Sequence, residues 1–260
     1  MSDMKFDVTV VGSTEVARAL LRFPQKFGRT MLSLVKQEAR GLAVELARNT
    51  KPYGFADKAK KRGEVAIHRD IRRVFITPAM AFATVRKTDP IAADKFWAAS
   101  ANHRFAAARK AIQASSSPLS QIQLGRLDPS LHQHARTGYG NVSKGQKPLQ
   151  VVTNTKVLDT YAARIMKRVG FAKGSWINAA KSLGGRVRGV PQWASRHKQA
   201  SGRATISTGD NPYATLTSNL DYIEDVLSSK GEQIALRVSN ARLRKAIATA
   251  IGKIRPKGRG

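Results

Sequence analysis

Three strand-like segments, the first with the two-residue alternation of a half-buried strand, lie far apart in this 260-residue chain. Residues 5–11 set Phe6, Val8 and Val10 against Asp7 and Thr9 before becoming wholly apolar. That period puts one side of a strand in a core and the other in water. The other two segments, Arg203–Ser207 and Tyr213–Thr217, flank Gly209-Asp210-Asn211-Pro212, residue types that hairpin and loop tips require. Joined, the three form one small antiparallel sheet. The two ends of the chain must then meet, with everything between them accommodated as an insertion.

Two long amphipathic segments supply the cover for such a sheet. Gly12-Ser13-Thr14 offers a turn and an N-cap for a short helix from Glu15-Val16. Pro24, whose missing N–H costs little in a first turn, starts a longer helix that runs to about Asn49. Leu20, Phe23, Phe27, Met31, Leu34, Val35, Leu42 and Leu46 recur at helical spacing, a stripe for core packing or for a seam between subunits. Asp221 to Ile251 is the closing helix, with Ile223, Val226, Leu227, Ile234, Val238, Leu243, Ile247 and Ile251 as its apolar face. The tail Arg255-Pro256-Lys257-Gly258-Arg259-Gly260 is basic and frayed. The expected fold class is α+β: long N- and C-terminal helices packed on a small antiparallel sheet, with a helical, partly disordered central insertion.

The expected divisions are residues 1–78, 79–170 and 171–260. In the middle, Asp89 to Ala114 reads as one helical block ended by Ser115-Ser116-Ser117-Pro118. Residues 118–147 are rich in Gln, Gly, His, Ser and Arg with little periodicity, the pattern of a long exposed arm. Leu149 to Val152 is a short strand, and Lys156 to Val169 a basic helix carrying Leu158, Tyr161 and Ile165.

Charge bounds the partners. Against 46 Lys and Arg stand 17 Asp and Glu, a formal net charge of +29. From Lys95 to Leu220 the sequence holds 19 basic residues and three acids, Asp128, Asp159 and Asp210. Such a field favours polyanions, either nucleic acid or strongly acidic protein surfaces. With no cysteine, disulfides, thiolate metal sites and cysteine nucleophiles are excluded. No apolar run has the length to cross a bilayer, and the N-terminus is not a secretory signal.

Catalytic signatures are missing. The acids are few and interspersed with bases, and the adjacent Glu224 and Asp225 diverge on a helix. His132 and His134 lack the further ligands of a metal shell and read as part of a polar loop. Gly140 to Gly145 has phosphate-loop glycine spacing but continues Gln146-Lys147, where Lys followed by Ser or Thr is needed. No nucleophile elbow occurs. The expectation is a non-enzyme without cofactor, metal or small-molecule substrate.

Two stretches carry more information. Gly174 to Ile223 runs from a short helix with Trp176 through a turn (Gly184, Gly185, Arg186, Arg188, Gly189) to Pro191-Gln192-Trp193. A basic run through Arg196, His197 and Lys198, the hairpin, and Asp221-Tyr222-Ile223 follow. Earlier, the Pro52-Tyr53-Gly54 turn and the basic cluster Lys58, Lys60, Lys61 and Arg62 lead into Gly63-Glu64-Val65-Ala66-Ile67-His68-Arg69-Asp70-Ile71-Arg72-Arg73-Val74-Phe75. In the latter, Ile67, Ile71, Val74 and Phe75 form one helical face, away from Arg69, Arg72 and Arg73.

This layout resembles the minor tail and neck (tail-completion, virion-morphogenesis) proteins of long-tailed bacteriophages, over roughly residues 24–78 and 172–250. The resemblance implies a structural virion protein, made in the host bacterial cytoplasm and placed at the neck or tail. Copies would form a ring or decorate one, against tail-tube, tail-terminator, connector or portal subunits, with possible contact to packaged DNA and none to membrane. The interaction surface expected for a polyanion or partner subunit comprises Arg186, Arg188, Arg196, Lys198, Lys60, Lys61, Arg62, Arg72 and Arg73. Trp176, Trp193 and Tyr222 are expected as structural anchors, the two Trp residues in preference to stacking platforms for bases. The competing expectation is a sequence-nonspecific nucleic-acid-binding protein that uses its basic middle and tails.

Overall fold

The computed structural model describes residues 6–11, 31–137, 141–208 and 212–252. The turn at Gly12-Ser13-Thr14, the helix starts at Glu15 and Pro24 and the tail from Arg255 lie outside the described residues. In chain order the elements are β1 (Phe6–Val11), α1 (Met31–Asn49), α2 (Asp57–Val74), β2 (Phe75–Ile76), α3 (Pro78–Val85) and α4 (Pro90–Ala101). There follow α5 (Phe105–Gln113), β3 (Gln123–Gly125), α6 (Pro129–His134), β4 (Gln150–Val152) and α7 (Thr155–Met166). The chain continues with α8 (Phe171–Ser182), α9 (Gln192–Ser195), β5 (Gly202–Ser207), β6 (Tyr213–Ser218), α10 (Ile223–Val226) and α11 (Ser229–Gly252). It divides into two units, residues 1–62 with 169–260, and residues 63–168. The structure is mixed α and β.

In the first unit, β1 pairs antiparallel with β6, Phe6 opposite Ser218 and Val11 opposite Tyr213. Strand β6 pairs on its other side with β5, Gly202 opposite Ser218, so the order is β1-β6-β5. Central position explains why Ala214, Leu216, Thr217 and Ser218 of β6 are all buried. Helix α1 turns Val35, Ala39, Leu42, Ala43, Leu46 and Ala47 inward, a stripe of helical period. It packs on β6, α8 and α11, while α8 packs on β5 and β6.

The sheet is therefore covered by α1 and α8, and the closing helix lies on α1. The closing segment is also two helices, with Leu227 in extended backbone ending α10 before α11 begins. Its inward face differs from the expected one. Gly231, Ala235 and Ser239, four residues apart, are buried, whereas Ile234 and Val238 are 39% and 40% exposed. Small residues let α11 approach α1 closely, and the bulkier apolar side chains are left outside. Arg242 adds a polar clasp: its guanidinium lies 3.9 Å from Glu45 and over Gly41, where a Cβ would come within 3.0 Å of it.

The second unit, inserted in sequence between the two halves of the first, adds a small parallel sheet to its helices. Strands β2, β4 and β3 form a parallel sheet in that order, with Phe75 and Gln123 both opposite Gln150. Parallel sheets are buried on both faces, and here one residue of each pair goes each way. Ile76 and Val151 join Ala81, Val85, Phe96 and Ile112 of α3, α4 and α5. Phe75 and Val152 join Ile71 and Val74 of α2 with Leu158, Tyr161 and Ala162 of α7.

The helices start at side-chain caps, Asp89 for α4, Asp128 for α6 and Asn154 for α7, with Pro at the first positions of α3, α4 and α6. The basic cluster before Gly63 belongs to α2, which begins at Asp57. The expected helix 89–114 is broken at Asn102-His103-Arg104, where His103 takes a left-handed φ of 55°.

The expected arm 118–147 is, in its described residues, built into this unit. Leu119 and Ile122 are buried in the first cluster and Val142 in the second. Gln150, buried on β4, accepts from the Asp128 N–H (3.0 Å) and donates to the Arg126 carbonyl (2.7 Å). Arg73 donates to the Val142 carbonyl (2.9 Å). Single apolar residues and side-chain bonds to backbone hold the segment, which is why no periodicity marked it.

At the close of the first unit, β5 touches α8 so tightly that a Cβ on Gly202 would overlap the Ser175 carbonyl. The substitution Gly202→Ala is expected to lower the stability of the unit by about 3 kcal/mol, the upper end of ordinary overpacking costs. Urea unfolding followed by Trp fluorescence checks it, with the exposed neighbour Ser201→Ala unchanged.

Candidate polyanion interface

The connection from α8 to β5 carries four of the predicted interaction residues, and its geometry begins with α8 itself. That helix reads Phe171-Ala172-Lys173-Gly174-Ser175-Trp176-Ile177-Asn178-Ala179-Ala180, and all but Phe171 and Asn178 in this run are buried. Being apolar or small all round, it is the central helix of its unit. Trp176 is fully buried and Trp193 nearly so, which places both in the core. Tyr222 is 39% exposed beside α10 and is not a buried anchor.

The connection falls into two halves. In the first, Gly184, Gly185 and Gly189 have φ of 76°, 76° and 71°, backbone that L side chains rarely adopt, and Arg186 and Arg188 are exposed between them. The second half, residues 192–200, is held against α8. Asn178 donates to the carbonyls of His197 (3.1 Å), Lys198 (3.3 Å) and Ala200 (2.8 Å). His197 Nε2 lies 2.9 Å from the Val169 carbonyl, which can only accept, so that nitrogen carries the proton. Burial holds the His197 pKa below the usual histidine value, against the pull of that carbonyl. Contact is close enough that a Cβ on Gly170 would meet the Trp193 ring at 2.8 Å, and one on Gly174 would meet His197 Cβ at 2.8 Å. Arg196 and Lys198 are thus exposed on a rigid segment.

The remaining predicted cations behave differently. Lys61 and Arg62 are exposed on α2, and Lys60 is half-buried. Arg62 reaches back to the Tyr53 carbonyl (3.4 Å). Arg72 contacts Met80 Sδ at 3.5 Å. Arg73 is spent inside the second unit, on Asp70 (3.3 Å) and the Val142 carbonyl, and is a structural clamp instead of an interaction residue. His132 is buried, its Nδ1 2.9 Å from Tyr161 Oη, while His134 is exposed, so the two diverge. Burial lowers the His132 pKa, with Arg136 adding to it. Among the described residues, no cluster of three or more His, Asp and Glu could hold a metal, and no helix is long and apolar enough to cross a membrane. Two concavities of the surface are lined without any carboxylate or histidine.

Sequence reasoning missed Lys173. Its side chain is wholly buried, and its Nζ donates to the carbonyls of Ala47 (2.7 Å) and Thr50 (2.6 Å), with Arg48 O at 3.4 Å. The ammonium lies 5.3 Å from the centre of the Phe55 ring and 5.8 Å from that of Trp193, and the Trp193 indole N–H donates to the Phe55 carbonyl (3.4 Å). It therefore caps the C-terminus of α1, where the helix dipole favours a cation. Burial nevertheless lowers its pKa to about 7, with Arg48 adding repulsion. The available signal was a cation set within the apolar and small-residue run 171–177.

Because the folded pKa of Lys173 lies below its unfolded value, the unfolded chain binds more protons between the two. The stability this group contributes therefore rises with pH from about 7 towards the ordinary lysine range. In Lys173→Met that rise is expected to vanish, leaving a melting temperature less pH-dependent than wild type between about pH 7 and 9. Parallel thermal melts across that window check it. Comparison of the chain with protein-family models, curated proteins and solved structures found no match.

Proposed function

We propose that this protein is a structural, non-catalytic virion component of a tailed bacteriophage, acting in the neck or tail-completion region through ring-like self-assembly. One observation carries the reading. Helix α11 buries Gly231, Ala235 and Ser239 and leaves Ile234 and Val238, one turn apart, facing outward. However it arises, an apolar strip left exposed along a helix supports a second surface packing there. The order of strand, long helix, inserted unit, hairpin and long helix supports the same reading, since it is the layout on which the phage resemblance rests. The partners implied are tail-tube, terminator, connector or portal subunits presenting acidic faces, and the location is the virion. Residues 118–147 supply Leu119, Ile122 and Val142 to the second unit's cores, so deleting them would disturb that unit's fold as well as any assembly.

Nuclease-treated protein is expected to run in light scattering as one discrete oligomer, visible as rings by negative stain. Ile234→Asp with Val238→Asp is expected to reduce it to a monomer that melts like wild type. A wild-type monomer at every salt concentration overturns self-assembly.

A second reading, sequence-nonspecific nucleic-acid binding, is favoured by the exposed Arg186, Arg188, Arg196 and Lys198. It predicts that charge reversal at Arg186, Arg188 and Arg196 weakens DNA binding at about 100 mM salt by at least tenfold and flattens its salt dependence. Fluorescence anisotropy with a labelled duplex checks it.

A further inference from the structure

The second unit carries another concentration of positive charge that the sequence reading did not single out. Helices α4 and α5 fold against one another at the elbow Asn102-His103-Arg104, closed by bonds from the His103 N–H to the Ser100 carbonyl (3.1 Å) and from the Arg104 N–H to the Ala99 carbonyl (2.8 Å). Phe96, Ala108 and Ile112 face the core. Between the helices runs an open groove of about 540 Å³, lined by the alanines Ala98, Ala107 and Ala111 and by Lys95, Arg104 and Lys110.

Three features of these cations set them apart. All are exposed, and among the described residues none of the three side chains takes part in a hydrogen bond or ion pair. The helical positions that would neutralise them hold no acid. Lys95 has Ile91 and Ala99 four residues away, Arg104 has Ala108, and Lys110 has Ala106 and Ala114. No carboxylate lines the groove either. Three like charges around one concavity repel each other, and the field they share is strengthened by the low-dielectric wall beneath them.

The occupant is identified by what the groove offers. Small side chains give close access but no pocket for an aromatic or aliphatic anchor, which a protein partner would use. Recognition of a phosphate backbone needs only positive charge and access. The space also exceeds a single phosphate ion. We propose that the α4–α5 groove binds the phosphodiester backbone of nucleic acid, with Lys95, Arg104 and Lys110 each meeting a phosphate. The site does not depend on the assembly reading, and it is separate from the α8–β5 connection.

The test uses the full chain, freed of nucleic acid, and a labelled oligothymidylate followed by anisotropy over a salt series. Lys95→Gln with Arg104→Gln and Lys110→Gln is expected to weaken binding at least tenfold. It should also reduce the slope of log affinity against log salt by about 2, the counterions of three single-strand phosphate contacts. The control set Arg126→Gln, Lys144→Gln and Lys147→Gln removes equal charge from exposed positions of the same unit and is expected to lose much less. Ala107→Trp fills the groove without altering charge and is expected to weaken binding as well. All substituted positions are exposed, and thermal melts confirm folding. Equal loss in the control set, wild-type affinity in Ala107→Trp, or no binding by the wild type would each overturn the proposal.

Discussion

The first unit depends on one buried ammonium. The last carbonyls of α1 have no partner within the helix, and Lys173 reaches across from α8 to take those of Ala47 and Thr50. Hydrogen bonds from a charged donor contribute about 1.5–3 kcal/mol each, whereas dehydrating an ammonium costs several. A pKa lowered to about 7 decides between them: the carbonyls and the two rings do not fully offset the loss of water. The contribution of Lys173 is then position. It fixes where α1 ends against α8, draws Phe55 and Trp193 around it, and leaves the next residue, Lys51, to bond through its N–H to the Val226 carbonyl of α10 (2.9 Å). Trp193 in turn sits where Gly170 lacks a side chain, which sets the start of the basic connection.

The two units solve burial differently. Around α8 and α11 the solution is close approach, with Gly174 against His197, Gly202 against Ser175 and Gly231 with its backbone neighbours. In the second unit the solution is a two-faced sheet of very short strands, in which alternate residues feed separate clusters. Close approach by small residues leaves larger apolar ones on the outside, as at Ile234 and Val238. The uncovered strip on α11 is thus a consequence of how that helix packs.

What was legible in the sequence follows the same physics. The first strand of the first sheet alternates over enough residues to show a period, its hairpin is marked by the turn residues at its tip, and α1 and the helical face at Ile67, Ile71 and Val74 carry clean stripes. Strands of two or three residues, such as Phe75–Ile76 and Gln150–Val152, are too short to show one, so the parallel sheet was not visible. The α11 face was misread because the inward residues are Gly, Ala and Ser, which hydropathy does not mark. Of the interaction surface, exposed loop cations were readable from composition. Arg73 and Lys173 were not, because their roles depend on carbonyls far away in the sequence.

The charge imbalance ties these features together. Several of the 17 acids are occupied within the fold: Asp89 and Asp128 cap helices, Asp70 holds Arg73, and Glu45 meets Arg48 and Arg242. Glu38, buried on α1, has its pKa raised by burial against the pull of Arg242. The remaining acids are too few to balance 46 Lys and Arg. Copies carrying +29 each repel one another over a screening length of about 8 Å at physiological salt. The proposed self-association through α11 would be opposed by this repulsion and would strengthen as salt screens it, whereas binding to a phosphate backbone weakens as salt rises. A polyanion bound to the proposed assembly would remove the conflict. Association that needs either salt or a polyanion, and is lost when both are withdrawn, is the behaviour this charge distribution dictates.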